Sequence, residues 1–208
     1  MNTNTELLEQ FKKHVIEASK NPSFIHHEWF VELHLNFVEK ISLELCDIYK
    51  DADREIVMVL VWVHDYAKIL DKENEHSEEM FEKGRAKLLE FGLSEIFVNK
   101  VIEYLTIFEK KMEMDLHEAP IEVKIVSSAD AASHLIGPFW SIYFKENNRK
   151  TISELMESNR SKLKKDWERK IVLPEIKSAF EGRYKFVLEQ SGKFPDTFLP
   201  LSNPHKKI

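Results

Sequence analysis

The chain has 208 residues, enough for one domain with a substantial core, and its net charge of −6 argues against broad nucleic-acid binding. A single cysteine, Cys46, excludes an internal disulfide, and its apolar neighbours mark it as a core residue. No apolar run reaches the roughly 18–20 residues of a membrane helix, and the first residues lack the apolar core of a secretory leader, so a cytoplasmic protein without membrane association is expected.

With only 5 Gly and 7 Pro, the composition favours helices over tight turns. Residues 4–20 predict a first helix, with Leu7, Leu8, Phe11, Val15 and Ile16 on one stripe. Asn21-Pro22-Ser23 breaks it. A long helix is expected over 24–50, where Phe30, His34, Phe37, Val38, Ile41, Leu45 and Ile48 recur at helical spacing and turn His34 toward the core. Asp51-Ala52-Asp53 opens the next element. Its run from Ile56 to Val63 is β-branched enough for a strand. However, no other stretch offers it a strand partner, and the apolar pattern continues through Ala67, Ile69 and Leu70, so a buried helix is expected.

Ser77 is a suitable N-cap for a helix that stops at Gly92, and Ser94 caps another that runs to Phe108. Residues 109–118 are charged and read as a loop. Pro120 suits the first turn of a helix that carries Asp130 and ends before Gly137-Pro138. Thr151 and Glu154 have the spacing of a capping box for a basic helix. Its Arg160, Lys162, Lys164, Lys165, Arg169 and Lys170 could steer an anionic substrate or touch nucleic acid, but such a run reads first as a solvated face. Pro174 starts a last helix that ends near Gly192.

The chemistry concentrates on four residues from three predicted helices: His34, the adjacent pair His64-Asp65, and Asp130. Two imidazoles and two carboxylates make a mixed nitrogen and oxygen donor set, suited to a divalent ion of octahedral preference with water in the remaining places. Neighbouring residues on a helix point about 100° apart, so His64 and Asp65 can both serve one ion only near a helix end or from the edge of a groove. Lys68, four residues past His64, lies on the same side, where its cation can meet a phosphate.

This pattern resembles the H…HD…D signature of the HD-domain superfamily of metal-dependent phosphohydrolases. His34-Leu35-Asn36-Phe37-Val38 is similar to the family's first-histidine helix, with Phe37 where an arginine is common. His64-Asp65-Tyr66-Ala67-Lys68 is similar to its HDxxK segment, and Ser127-Ser128-Ala129-Asp130-Ala131 to the small-residue helix of its last aspartate.

The resemblance implies an all-α fold: a single HD domain over 1–208, with the motif core over 24–136, C-terminal helices over 150–191 packed on it and an irregular tail over 193–208. It also implies one divalent ion (Mn, Mg, Ni, Co or Fe(II)) held by His34, His64, Asp65 and Asp130. Asp65 or Asp130 would orient the attacking water or accept its proton, and Lys68 would neutralise phosphoryl charge. A second metal is not expected, because the helix that often ends in a further histidine reads Ile102-Glu103-Tyr104-Leu105-Thr106-Ile107.

Other side chains have weaker claims. His27, seven residues before His34, could line the pocket mouth, whereas His26 would point elsewhere. His76, after the HD pair, could be a pocket residue that meets substrate or an ordinary helix-start histidine, and His134 could hydrogen-bond Asp130. Arg183 could reach a phosphate, on no more than a loose resemblance to the C-terminal helix of small HD proteins. Trp29, Phe139, Trp140 and Tyr143 could stack on a base or fill the core. The expected activity is hydrolysis of a small phosphorylated substrate, for which a nucleotide is one candidate. The alternatives are an inactive HD module that binds a nucleotide or a partner protein, and a metal-dependent nuclease supported by the basic helix alone.

Overall fold

The computed structural model describes residues 4–71, 73 and 78–197. Every element in them is helical and no strand occurs among the described residues. The helices are α1 (Asn4–Ser19), α2 (Asn36–Ile48), α3 (Arg54–Val63), α4 (Tyr66–Leu70), α5 (Glu78–Glu90), α6 (Glu95–Glu109), α7 (Ile121–Ser133), α8 (Phe139–Glu146), α9 (Ile152–Lys165) and α10 (Pro174–Gln190). None is long and apolar enough to cross a membrane. The expected N-cap Ser77 and the candidate His76 lie outside the described residues.

The centre of the bundle is α7. Residues 125–133 are buried without interruption, and six of them are Ala or Ser along Ser127-Ser128-Ala129 and Ala131-Ala132-Ser133. Small side chains let neighbours approach from every side, and α2, α3, α6 and α10 all pack on this helix. Helix α3 lies against it with Ile56, Val57, Val59, Leu60, Val61, Trp62 and Val63 all buried. This resolves the β-branched run as a core helix. The α3 N-terminus is capped by Asp53, whose side chain accepts from the Glu55 and Ile56 amides. The buried Glu122 of α7 in turn accepts from the Asp53 amide at 2.9 Å. Cys46 is a buried core residue.

Three departures from the expected elements bear on the site. The single helix expected over 24–50 is instead a run of turns to Trp29, a π-helical turn over Val31–Leu35, and then α2. The apolar continuation past Val63 is broken at His64-Asp65, where Asp65 leaves helical geometry (φ −111°, ψ 9°) before α4 begins. Residues 139–146, unassigned from sequence, form α8, which buries Phe139 and Trp140.

The capping box of α9 forms as expected between Thr151 and Glu154. The helix then relaxes into a second π-helical turn over Asp166–Lys170. Side chains of α7 strap that turn in place. Ser127 Oγ donates to the Lys170 carbonyl at 3.2 Å, and Ser128 Oγ accepts from the Val172 and Leu173 amides at 3.2 and 3.4 Å.

Candidate metal centre

His34 leaves the first π-helical turn, His64 and Asp65 occupy the break between α3 and α4, and Asp130 comes from α7. The chain break answers the angular problem of adjacent ligands, because Asp65 no longer follows the α3 spiral. The four side chains meet. His34 Nε2 is 3.2 Å from Asp65 Oδ2 and 3.7 Å from Asp130 Oδ1, and His64 Nε2 is 3.3 Å from Asp65 Oδ2.

The outer nitrogens of both imidazoles are committed elsewhere. His64 Nδ1 donates to the Val61 carbonyl at 2.8 Å. The Ser133 hydroxyl donates to the Asp130 carbonyl at 2.7 Å, so its oxygen accepts the Nδ1 proton of His34 at 2.8 Å. In the neutral rings both Nε2 atoms therefore present lone pairs to carboxylate oxygens. His64 Nε2 is buried and makes no hydrogen bond. A buried lone pair facing a carboxylate is repulsive unless a proton or a cation lies between them. Separations of 3.2 Å from His34 to Asp65 and 3.3 Å from His64 to Asp65 fit atoms that share one ion at about 2.0–2.2 Å each, and one donor atom each from His34, His64 and Asp65 lies within 4.8 Å of the other two. Asp130 forms a second group of that spread with His34 and His134. The His34, His64 and Asp65 donors fit a divalent ion, with Asp130 beside them 3.7 Å from His34.

The charges are arranged to keep the carboxylates ionised. Burial works against charge on Asp65, but the Lys68 charge and the neighbouring imidazoles of His64 and His34 outweigh it and hold its pKa well below the usual range. Asp130 is held down likewise, with Lys170, His134 and Lys111 opposing burial. Burial lowers His34; at His64 burial is also the largest influence and lowers, but Asp65 and Asp130 together outweigh it and the net shift is upward. Lys111 is pushed down to about 8 by burial, against the pull of Asp130.

Two cavities open beside this cluster. The larger, ≈ 660 Å³, reaches His64 and Asp65 and is lined by five lysines: Lys68, Lys111, Lys162, Lys165 and Lys170. The smaller, ≈ 360 Å³, reaches His34 and His134 and is walled by Trp29, Phe30, Phe139 and Tyr143. Lys68 and Lys162 border both. Lys68 Nζ is 2.5 Å from Asp65 Oδ1.

The basic segment at 160–170 is therefore not simply a solvated face. Lys162, Lys165 and Lys170 turn into the larger cavity, while Arg160 bonds the Ser191 carbonyl and Arg169 the Met112 carbonyl.

His26, not His27, enters the site. It lines the smaller cavity with Nδ1 2.9 Å from Glu146 Oε2, while His27 Nδ1 donates to the Phe24 carbonyl and lines neither cavity. The seven-residue spacing from His27 to His34 would have put both on one face of an α-helix, but the turns and the π-helical turn between them break that register. Arg183 is exposed on α10 beside the Phe180 ring and lines neither cavity.

Sequence reasoning missed Asp166, and named Lys170 only as one member of a basic run. Asp166 is buried, with Lys170 Nζ at 2.7 Å, Lys162 Nζ at 3.3 Å and His134 Nδ1 at 2.9 Å. The legible signal was the four-residue spacing of Lys162, Asp166 and Lys170, which puts a carboxylate between two cations on one helix face.

The HD-domain family model matches residues 31–135, just over half of the chain. The chain belongs to the HD-domain family, whose members are in general metal-dependent phosphohydrolases. No curated protein and no solved structure matches it.

Proposed function

We propose that this protein is a metal-dependent phosphohydrolase acting on a small phosphorylated substrate of nucleotide type. The observation that carries the reading is the buried, unbonded Nε2 of His64 beside the Asp65 carboxylate. The sequence folds this lone pair into place at a cost that one divalent ion, held by His34, His64, Asp65 and Asp130, would repay. Such an ion supplies Lewis acidity toward a phosphoryl oxygen and makes water acidic enough to attack at neutral pH.

The chain's own residues do the rest. Asp65 lines the larger cavity whereas Asp130 lines neither, so Asp65 is the carboxylate placed to orient an incoming water and take its proton. Lys68 borders both cavities and neutralises charge that develops on the phosphoryl oxygens. Lys111, Lys162 and Lys170 hold the phosphate against departure during the reaction. The aromatic walls of the smaller cavity accept the flat part of the substrate.

Metal content of the purified protein, beside His64→Ala, tests the reading. About one equivalent of a divalent transition metal is expected in the wild type, lost in the variant together with hydrolysis of phosphate esters. No metal in either protein and none taken up on titration would overturn it and favour a module that binds without turnover.

A further inference from the structure

Three lysines of the larger cavity are tied to carboxylates. Lys68 sits on Asp65, and Lys162 and Lys170 share the buried Asp166 at 3.3 and 2.7 Å. Lys165 is exposed on α9. Lys111 differs from them all. Its ammonium rests on an aromatic face, with Nζ 3.6 Å from the centre of the Phe108 ring, and it forms no ion pair among the described residues. The backbone puts it there. Helix α6 ends at Glu109, and the Lys111 amide closes the following turn on the Phe108 carbonyl at 3.2 Å. The same buried ring meets the His64 imidazole edge-on, with centroids 5.3 Å apart. Phe108 therefore sets Lys111 beside the metal centre, on the cavity that also holds Asp65 and Lys68. Burial is the largest influence on this amine and lowers its pKa to about 8; Lys170 acts in the same direction, while Asp130, Glu109 and Asp65 oppose it. An aromatic face attracts a cation but does not take its proton, and no ion pair has to break when that proton leaves.

Resting on the phosphohydrolase function proposed for the site, we infer that Lys111 is the general acid that protonates the leaving oxygen of the phosphate ester. Water attacks phosphorus and passes its proton to Asp65. The bond from phosphorus to the ester oxygen breaks, and the electron pair left on that oxygen takes a proton from Lys111 Nζ. The products are the free alcohol and inorganic phosphate. The Lys111 amine then recovers a proton from solvent, and Asp65 releases its own there. The paired lysines suit this step less. A proton lost from Lys162 or Lys170 would leave the buried Asp166 charge short of a partner, and Lys170 is pushed up rather than down. The role also narrows the substrate to esters of ordinary alcohols, such as sugar hydroxyls, because only a strongly basic leaving oxygen needs an acid.

Steady-state kinetics of wild type, Lys111→Arg and Lys111→Gln on two kinds of ester test this. The leaving group of para-nitrophenyl phosphate departs without a proton, whereas that of a nucleoside monophosphate does not. Arginine keeps the charge but does not release its proton. Lys111→Arg should lower kcat/KM for nucleoside monophosphates by about 100- to 10,000-fold and leave the aryl ester within about tenfold of wild type. The wild-type value for nucleoside monophosphates should fall as pH rises through about 8, and this limb should vanish in the variant. No loss would overturn the inference. So would an equal loss on both esters, which would leave Lys111 a cation that only holds phosphate, or a wild type that cleaves the aryl ester alone. Hydrolysis of neither ester by metal-loaded wild type would mark failure of the function reading, and the inference would fall with it. The ratio of the two esters within one variant cancels any loss of folded protein, and if arginine does not fit over Phe108, Lys111→Gln gives the same ratio. Acetylation of the metal-free protein with acetic anhydride, followed by mass spectrometry against pH, gives a readout apart from turnover. Lys111 should titrate near 8, and titration near the ordinary 10.5 would overturn its role.

Discussion

The orientation of His34 depends on one hydroxyl. Ser133 Oγ sits between the His34 Nδ1 and the Asp130 carbonyl, 2.8 and 2.7 Å away, and so decides which nitrogen of the ring faces the carboxylates. Ser133→Ala removes that control with little change in volume. It should weaken metal binding about 10–100-fold and leave helical content unchanged, as chelator competition and circular dichroism would show. His134 gives the residue scale a pH signature. Burial, helped by Lys162 and opposed by Asp166 and Asp130, lowers its pKa from 6.5 to about 4. Between those values the unfolded chain takes up a proton that the folded chain refuses, so stability rises with pH across the window. It is fully present above 6.5 and is lost as pH falls toward 4. The loss, complete only below about pH 4, is roughly 3 kcal/mol. Urea unfolding of metal-free wild type and His134→Gln should show a shallower pH slope in the variant over this window; equal slopes would contradict the assignment.

At the scale of elements, the site is built where helices depart from the regular α form. His34 leaves one π-helical turn, Asp166 and Lys170 leave another, and His64-Asp65 occupy a break. The four-residue His and Asp pattern was legible because residue type and order along the chain survive such irregularities. The α7 and α9 helices were legible because Pro120, Thr151 and Glu154 are local signals. Facing directions were not legible near the irregular turns. The run of turns to Trp29 and the π-helical turn after it change the register between the segment before His34 and His34 itself, so His26 and not His27 lines the smaller cavity. No spacing rule connects Asp166 to His134, 32 positions apart, because their contact exists only once α7 and the second π-helical turn are strapped together. Ser128 is central to that strap. Ser128→Ala leaves the Val172 and Leu173 amides without their acceptor, which should cost about 1–3 kcal/mol in urea unfolding. On the proposed function it should also lower phosphate-ester hydrolysis, by loosening Lys170 and Asp166. Full stability and activity would mean that the strap is dispensable.

Across the whole molecule, charge and shape divide the work. A chain of net charge −6 gathers five lysines around one cavity, so attraction for phosphate is confined to that recess and a long polyanion meets repulsion elsewhere. The aromatic cavity lies beside it, sharing Lys68 and Lys162. On the proposed function, a substrate that fills both places a phosphate among the lysines and a flat ring beside Trp29 and Tyr143. Trp29 is suited to this role because its indole N–H is fixed on Glu146 Oε1 at 2.7 Å, which holds the ring in position before anything binds. Stacking of a base on such a ring is worth about 1–3 kcal/mol, equivalent to roughly 5–150-fold in KM. Trp29→Leu should therefore raise KM for a nucleoside monophosphate by a factor in that range while KM for a simple sugar phosphate stays the same. Steady-state kinetics on the two substrates makes the comparison within one variant, so a general loss of folded enzyme cancels. An equal rise for both would remove the base from the smaller cavity and leave the phosphate site as the sole source of recognition.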